Sequence, residues 1–94
     1  MEDKYPMENV FKVSGTTNSQ KLASALMKSI QNGEKVSIRC LGASAVNQAV
    51  KSLCILRGMG VTVGLDIRYY SIFDMDVEKD LTFIKFCLDI KNIY

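Results

Sequence analysis

The run Lys35–Cys40, KVSIRC, alternates Val36, Ile38 and Cys40 against Ser37 and Arg39, then passes through Leu41-Gly42 into a different period. From Ala45 onward, Ala45, Val46, Ala49, Val50, Leu53 and Leu56 recur at helical spacing and cover about 140° of arc. A strand that turns through small residues straight into a long amphipathic helix is the core of an α/β unit. The helix must then fold back on the sheet through a right-handed crossover. This one feature rules out all-helical and all-strand architectures.

The flanking segments fit around that unit. Asn9–Ser14, NVFKVS, alternates and predicts a first strand. Ser14–Ser19 reads as a loop, and Thr17-Asn18-Ser19-Gln20 fits a capping box that opens helix one. Leu22, Ala23, Leu26, Met27 and Ile30 share one face of that helix, and Asn32-Gly33 stops it. Helix two is expected from about Ser44 to Met59, closed by Gly58 and Gly60.

Leu65–Met75 and Leu81–Ile90 read as two more strands, joined by the charged loop Asp76–Asp80. The last strand carries large residues on both faces, which predicts a central position. The order βαβαββ gives an α/β two-layer sandwich, with both helices on one face of a four-stranded mixed sheet. Residues 1–8, charged and holding the only proline, read as a flexible tail, and 9–94 as one domain.

Composition narrows the chemistry. The chain has 94 residues, no histidine, and three cysteines, Cys40, Cys54 and Cys87, with no CxxC. Zinc-site spacing is absent, and the reading is no metal and no cofactor. Acid–base work would fall to carboxylates, lysines or cysteines, and Asp74, Asp76, Glu78 and Asp80 cluster in one hairpin as a solvated tip. The expectation is a non-enzyme. The glycines at 58, 60 and 64 are spaced GxGxxxG after a helix, which is not a dinucleotide fingerprint.

Free thiols among apolar residues suggest a reducing compartment, hence the cytoplasm, or the nucleus in a eukaryotic cell. No apolar run approaches the ~20 residues of a membrane span, and the start MEDKYPMENV lacks the apolar stretch of a signal peptide.

Arg39 lies on the sheet face opposite Val36, Ile38 and Cys40, with Lys12 at a plausible adjacent position and Arg68 as a candidate third member. Gly42-Ala43-Ser44 is small enough for a phosphate to approach backbone amides, Ser44 can cap, and Asn47 and Gln48 follow in the first turn. Spacing alone leaves two readings open: isolated surface charges with a simple cap, or a phosphate-contacting patch. Ile55 and Met59 fall opposite the main apolar arc, which suggests a homodimer contact.

The stretch IRCLGASAVNQAVKSLCILRG resembles the stage V sporulation protein S family, within the wider Alba superfamily. The resemblance is carried by Leu41-Gly42-Ala43 with Ala45, by Asn47-Gln48-Ala49-Val50-Lys51, by Arg57-Gly58, and by Asn18-Ser19 at the opening of helix one. It implies a βαβαββ fold with sheet order 1-2-4-3, usually dimeric, that binds DNA or RNA without catalysis. Carried onto this chain, the implied contact residues are Lys12, Asn18, Lys21, Arg39, Ser44 and Asn47. The chain departs from archaeal Alba proteins in its first loop, Ser-Gly-Thr-Thr where they resemble one another in a Lys-Lys pair, and in an acidic hairpin. Those departures keep a second expectation alive: a protein-interaction or assembly module that retains the fold.

Overall fold

The computed structural model describes residues 8–93. The elements are β1 (Glu8–Val13), α1 (Ser19–Gln31), β2 (Lys35–Cys40), α2 (Ala43–Thr62), β3 (Leu65–Asp76) and β4 (Leu81–Asn92), in the order read from the sequence. Residues 1–7 of the expected tail lie outside the described residues. Glu8, assigned to that tail for its charge, instead opens β1 opposite Lys35.

The sheet order is β1-β2-β4-β3, with β4 central as its two loaded faces implied. β1 and β2 run parallel and the other pairs antiparallel. One face of the sheet supplies Val13, Val36, Ile38, Cys40, Ile67, Phe86 and Leu88 to the core. Both helices close over it with Leu22, Ala23, Leu26, Met27, Ala45, Ala49, Leu53 and Leu56. Ala23, Ala45 and Ala49 are fully buried, so small side chains let the helices lie close to the layer beneath. Each large aliphatic residue buried this way contributes about 1.5–3 kcal/mol.

Helix α2 corrects two expectations. It does not stop at Gly58 or Gly60 but runs through both to Thr62, and Gly64 ends it with φ 76°. Gly60 is buried, and a Cβ there would lie 2.7 Å from Ile67 Cδ1 and 3.1 Å from the Leu65 carbonyl oxygen. It is the point where the helix backbone passes directly over β3. Gly58 has open space around it. We therefore expect Gly58→Ala to raise the unfolding free energy by about 0.5–1 kcal/mol in urea titrations, through helix propensity alone; a lower stability would show that the position has a packing role.

The second correction concerns Ile55 and Met59. They are half-buried and pack against the core. They continue the stripe of Gln48 and Ser52, whose members are half-buried and fully buried, and Gln48 reaches the chain just ahead of α1. The stripe that looked outward on a helical wheel is thus partly covered within the protomer.

β3 and β4 form a long hairpin that outreaches the helices. Ile67 is 3% exposed beneath α2, whereas Phe73 and Met75 on the same face are 76% and 68% exposed.

Candidate nucleic-acid interface

Because β1 and β2 are parallel, the loops that leave their C-terminal ends lie side by side, and each leads into a helix N-terminus. Crevices of this kind at strand carboxyl ends are common ligand sites in α/β sheets. The first loop is cross-linked by its own hydroxyls. Ser14 N–H donates to Thr17 Oγ1 at 2.9 Å, Thr17 N–H donates to the Ser14 carbonyl at 3.2 Å, and the Ser14 and Thr16 hydroxyls are 3.1 Å apart.

The cap of α1 is Asn18, one residue later than the capping box proposed: its Oδ1 accepts from Lys21 N–H at 2.9 Å. Thr17 is consumed by the turn instead.

The second loop is simpler. Gly42 is the N-cap of α2, with φ 92° and no side-chain cap bond. Ser44, expected as a cap, sits inside the first turn. The first-turn amides therefore have no side-chain acceptor, and the positive end of the helix dipole is uncovered. The two loops also touch. Gln48 Nε2 donates to the Thr17 carbonyl at 2.6 Å, and Gly15 lies so close to Ser44 that a Cβ would sit 2.9 Å from Ser44 Cβ.

The adjacent sheet face holds the basic residues. Lys12 pairs in register with Arg39, and Arg39 with Lys85, giving one row across β1, β2 and β4. Two members of that row are already partnered. Arg39 Nε lies 3.0 Å from Asp74 Oδ2, out of line for a hydrogen bond, and its guanidinium covers the Phe83 ring at 3.8 Å from the centroid. Lys85 Nζ is 3.1 Å from Glu8 Oε1.

Lys12 and Lys21 are exposed and have no ion-pair partner among the described residues. Arg68 does not join the row: it stands four positions along β3 from Ile72, the row's end, and binds Asp66 at 2.8 Å.

The structure thus brings Lys12 and Arg39 together as expected, and Asn18, Ser44 and the exposed Asn47 to the neighbouring loop edge. Three contributors escaped the sequence reading: Gln48 as a tie between loops, Lys85 in the row, and Lys79. Lys79 belongs to the hairpin loop that reads as acidic, and it lines a hollow of about 170 Å³ with Lys12, Arg39, Leu41 and Phe83, to which Asp76 adds a carboxylate. Lys85 was visible in the alternation of β4, but Lys79 depends on where the hairpin folds.

The Cys40 thiol offers little reactivity here. Burial pushes Cys40 up to about 11, so it stays protonated at neutral pH. Among the described residues no three His, Cys, Asp or Glu side chains gather as a metal site. Among the described residues, no helix is long and apolar enough to cross a membrane.

With that geometry in view, the family comparison has a concrete meaning. The family model described as Stage V sporulation protein S matches residues 9–91. The chain belongs to that family. The match runs from β1 into the end of β4, so it covers both loops and the whole basic row. Membership makes this a small sporulation-related protein, and the observed sheet order agrees with the one that the Alba resemblance implied.

Proposed function

We propose that the protein is a non-enzymatic, nucleic-acid-binding member of its family that contacts the phosphate backbone of DNA or RNA, acts as a homodimer, and serves a regulatory role in sporulation or gene expression. The observation that carries this reading is the uncapped N-terminus of α2, set beside the hydroxyl-rich first loop, with Lys12 exposed at the end of β1 and Lys21 exposed in the first turn of α1. Backbone N–H groups, a helix dipole and unpaired lysines together favour a phosphate, and none of them reads a base. Asn18 and Asn47 supply polar contacts at the edges, and Arg39 a tethered charge.

Fluorescence anisotropy with labelled single- and double-stranded DNA and RNA of about 20 nucleotides tests this, long enough to span several phosphate contacts. Binding at low salt that falls steeply as salt rises is expected; no binding to any of the four at low salt would refute it.

A second reading has its own observation. Asp74 and Glu8 neutralise Arg39 and Lys85, and the same face exposes Val10, Tyr70 and Ile72. A protein-interaction module would look like this. Recovery of a specific protein partner after nuclease treatment, together with absent nucleic-acid binding, would favour it.

A further inference from the structure

The hollow of about 170 Å³ lies where the open face of the sheet meets the β3–β4 loop, and its chemistry is mixed. Lys12, Arg39 and Lys79 bring three cations, Leu41 and Leu81 an apolar rim, and Asp76 a carboxylate. A phosphate alone gains nothing from the leucines and is repelled by the carboxylate. Arg39 is the most constrained of these groups. Its Nε lies 3.0 Å from Asp74 Oδ2, and its guanidinium covers the Phe83 ring at 3.8 Å from the centroid. The side chain still keeps 23% of its surface exposed. It is a planar cation fixed in place, not a swinging charge.

We propose that this hollow takes one unpaired nucleobase of a single strand, stacked on the Arg39–Phe83 pair, with the flanking phosphates on Lys12 and Lys79. The proposal deepens the nucleic-acid reading and rests on it. Guanidinium planes and aromatic rings are both platforms on which splayed-out bases stack. A base inside a duplex has both faces against its neighbours, so only an unpaired one can reach a platform lying against the sheet.

The surrounding groups fit that occupant. Lys12 comes from β1 and Lys79 from the β3–β4 loop, and both are exposed with no ion pair among the described residues. A strand crossing the hollow therefore meets a cation from each element. Asp76 Oδ1 accepts from Lys79 N–H at 3.2 Å. The other oxygen of that carboxylate can accept from an exocyclic amino group, as carboxylates do from cytosine. Leu41 and Leu81 give the base edge an apolar border.

Fluorescence anisotropy on the full chain at low salt tests this with three labelled probes: a DNA single strand, the same strand with every base removed, and its duplex. The base-bearing strand should bind roughly tenfold tighter than the abasic one, since both carry the same phosphates and differ only in stacking. Arg39→Lys keeps the charge facing Asp74 but not the plane. It should abolish that tenfold preference and leave the abasic strand and the duplex unchanged. Adenosine monophosphate should displace the strand only at about millimolar concentration, the reach of one stack and one phosphate contact.

Equal affinity of the parent protein for base-bearing and abasic strands overturns the base site and leaves the phosphate reading standing. No binding of any probe overturns both. An Arg39→Lys protein that keeps the preference, or that loses duplex binding to the same degree, overturns Arg39 as the platform. Displacement by micromolar adenosine monophosphate overturns the strand as the source of the base.

Discussion

Replacing Lys12 and Lys21 together by glutamate should weaken nucleic-acid binding on the order of a hundredfold at about 50 mM salt and flatten its salt dependence. Both lysines are exposed without carboxylate partners among the described residues, so their full charge is available to phosphates. Each lost contact should lower the slope of log affinity against log salt by about one.

Arg39→Glu should cost less affinity than the lysine pair. Its guanidinium is held between Asp74 and Phe83, so reversal there sets two carboxylates against each other and disturbs the fold first. An Arg39→Glu protein that folds normally yet loses as much binding as the double lysine variant would move the site onto the sheet face. An unchanged salt slope in the lysine variant would remove both lysines from the site.

Gly60→Val should destabilise the protein by about 2–4 kcal/mol, the range of overpacked core sites. Valine is the better helix former by a few tenths of a kcal/mol, so propensity alone predicts a small gain. Packing decides against it. The first added carbon meets Ile67 Cδ1 at 2.7 Å and the Leu65 carbonyl oxygen at 3.1 Å, and the second of these is backbone. A side chain there lifts the end of α2 away from β3. Urea denaturation gives the answer directly: a midpoint equal to or above that of the parent would mean that α2 sits less tightly on β3 than the coordinates place it.

What could be read from the residues was what repeats locally. The alternation of Val36, Ile38 and Cys40, the helical spacing from Ala45 to Leu56, and the doubly loaded β4 gave element order, layer arrangement and the place of the central strand. What escaped depends on partners distant in the chain. Gly60 reads as a helix stop until the position of Ile67 is known, and then becomes a close approach. Ile55 and Met59 read as outward-facing until the core they pack against is known.

The site divides in the same way. Lys12 beside Arg39 follows from two parallel strands in simple register. That Asp74 and Glu8 neutralise the row follows only from the register of β3 on β4 and from Glu8 being part of β1. Asn18 displaced Thr17 as the cap because the Ser14–Thr17 turn had already claimed that hydroxyl.

The bond from Gln48 to Thr17, together with the contact of Gly15 on Ser44, means that the first loop and the start of α2 are held as one rigid unit before anything arrives. A ligand meeting this edge finds its contacts in place. Little chain entropy would then be lost on the association proposed above, so even a site with few charges could take up a polyanion without reshaping the protein.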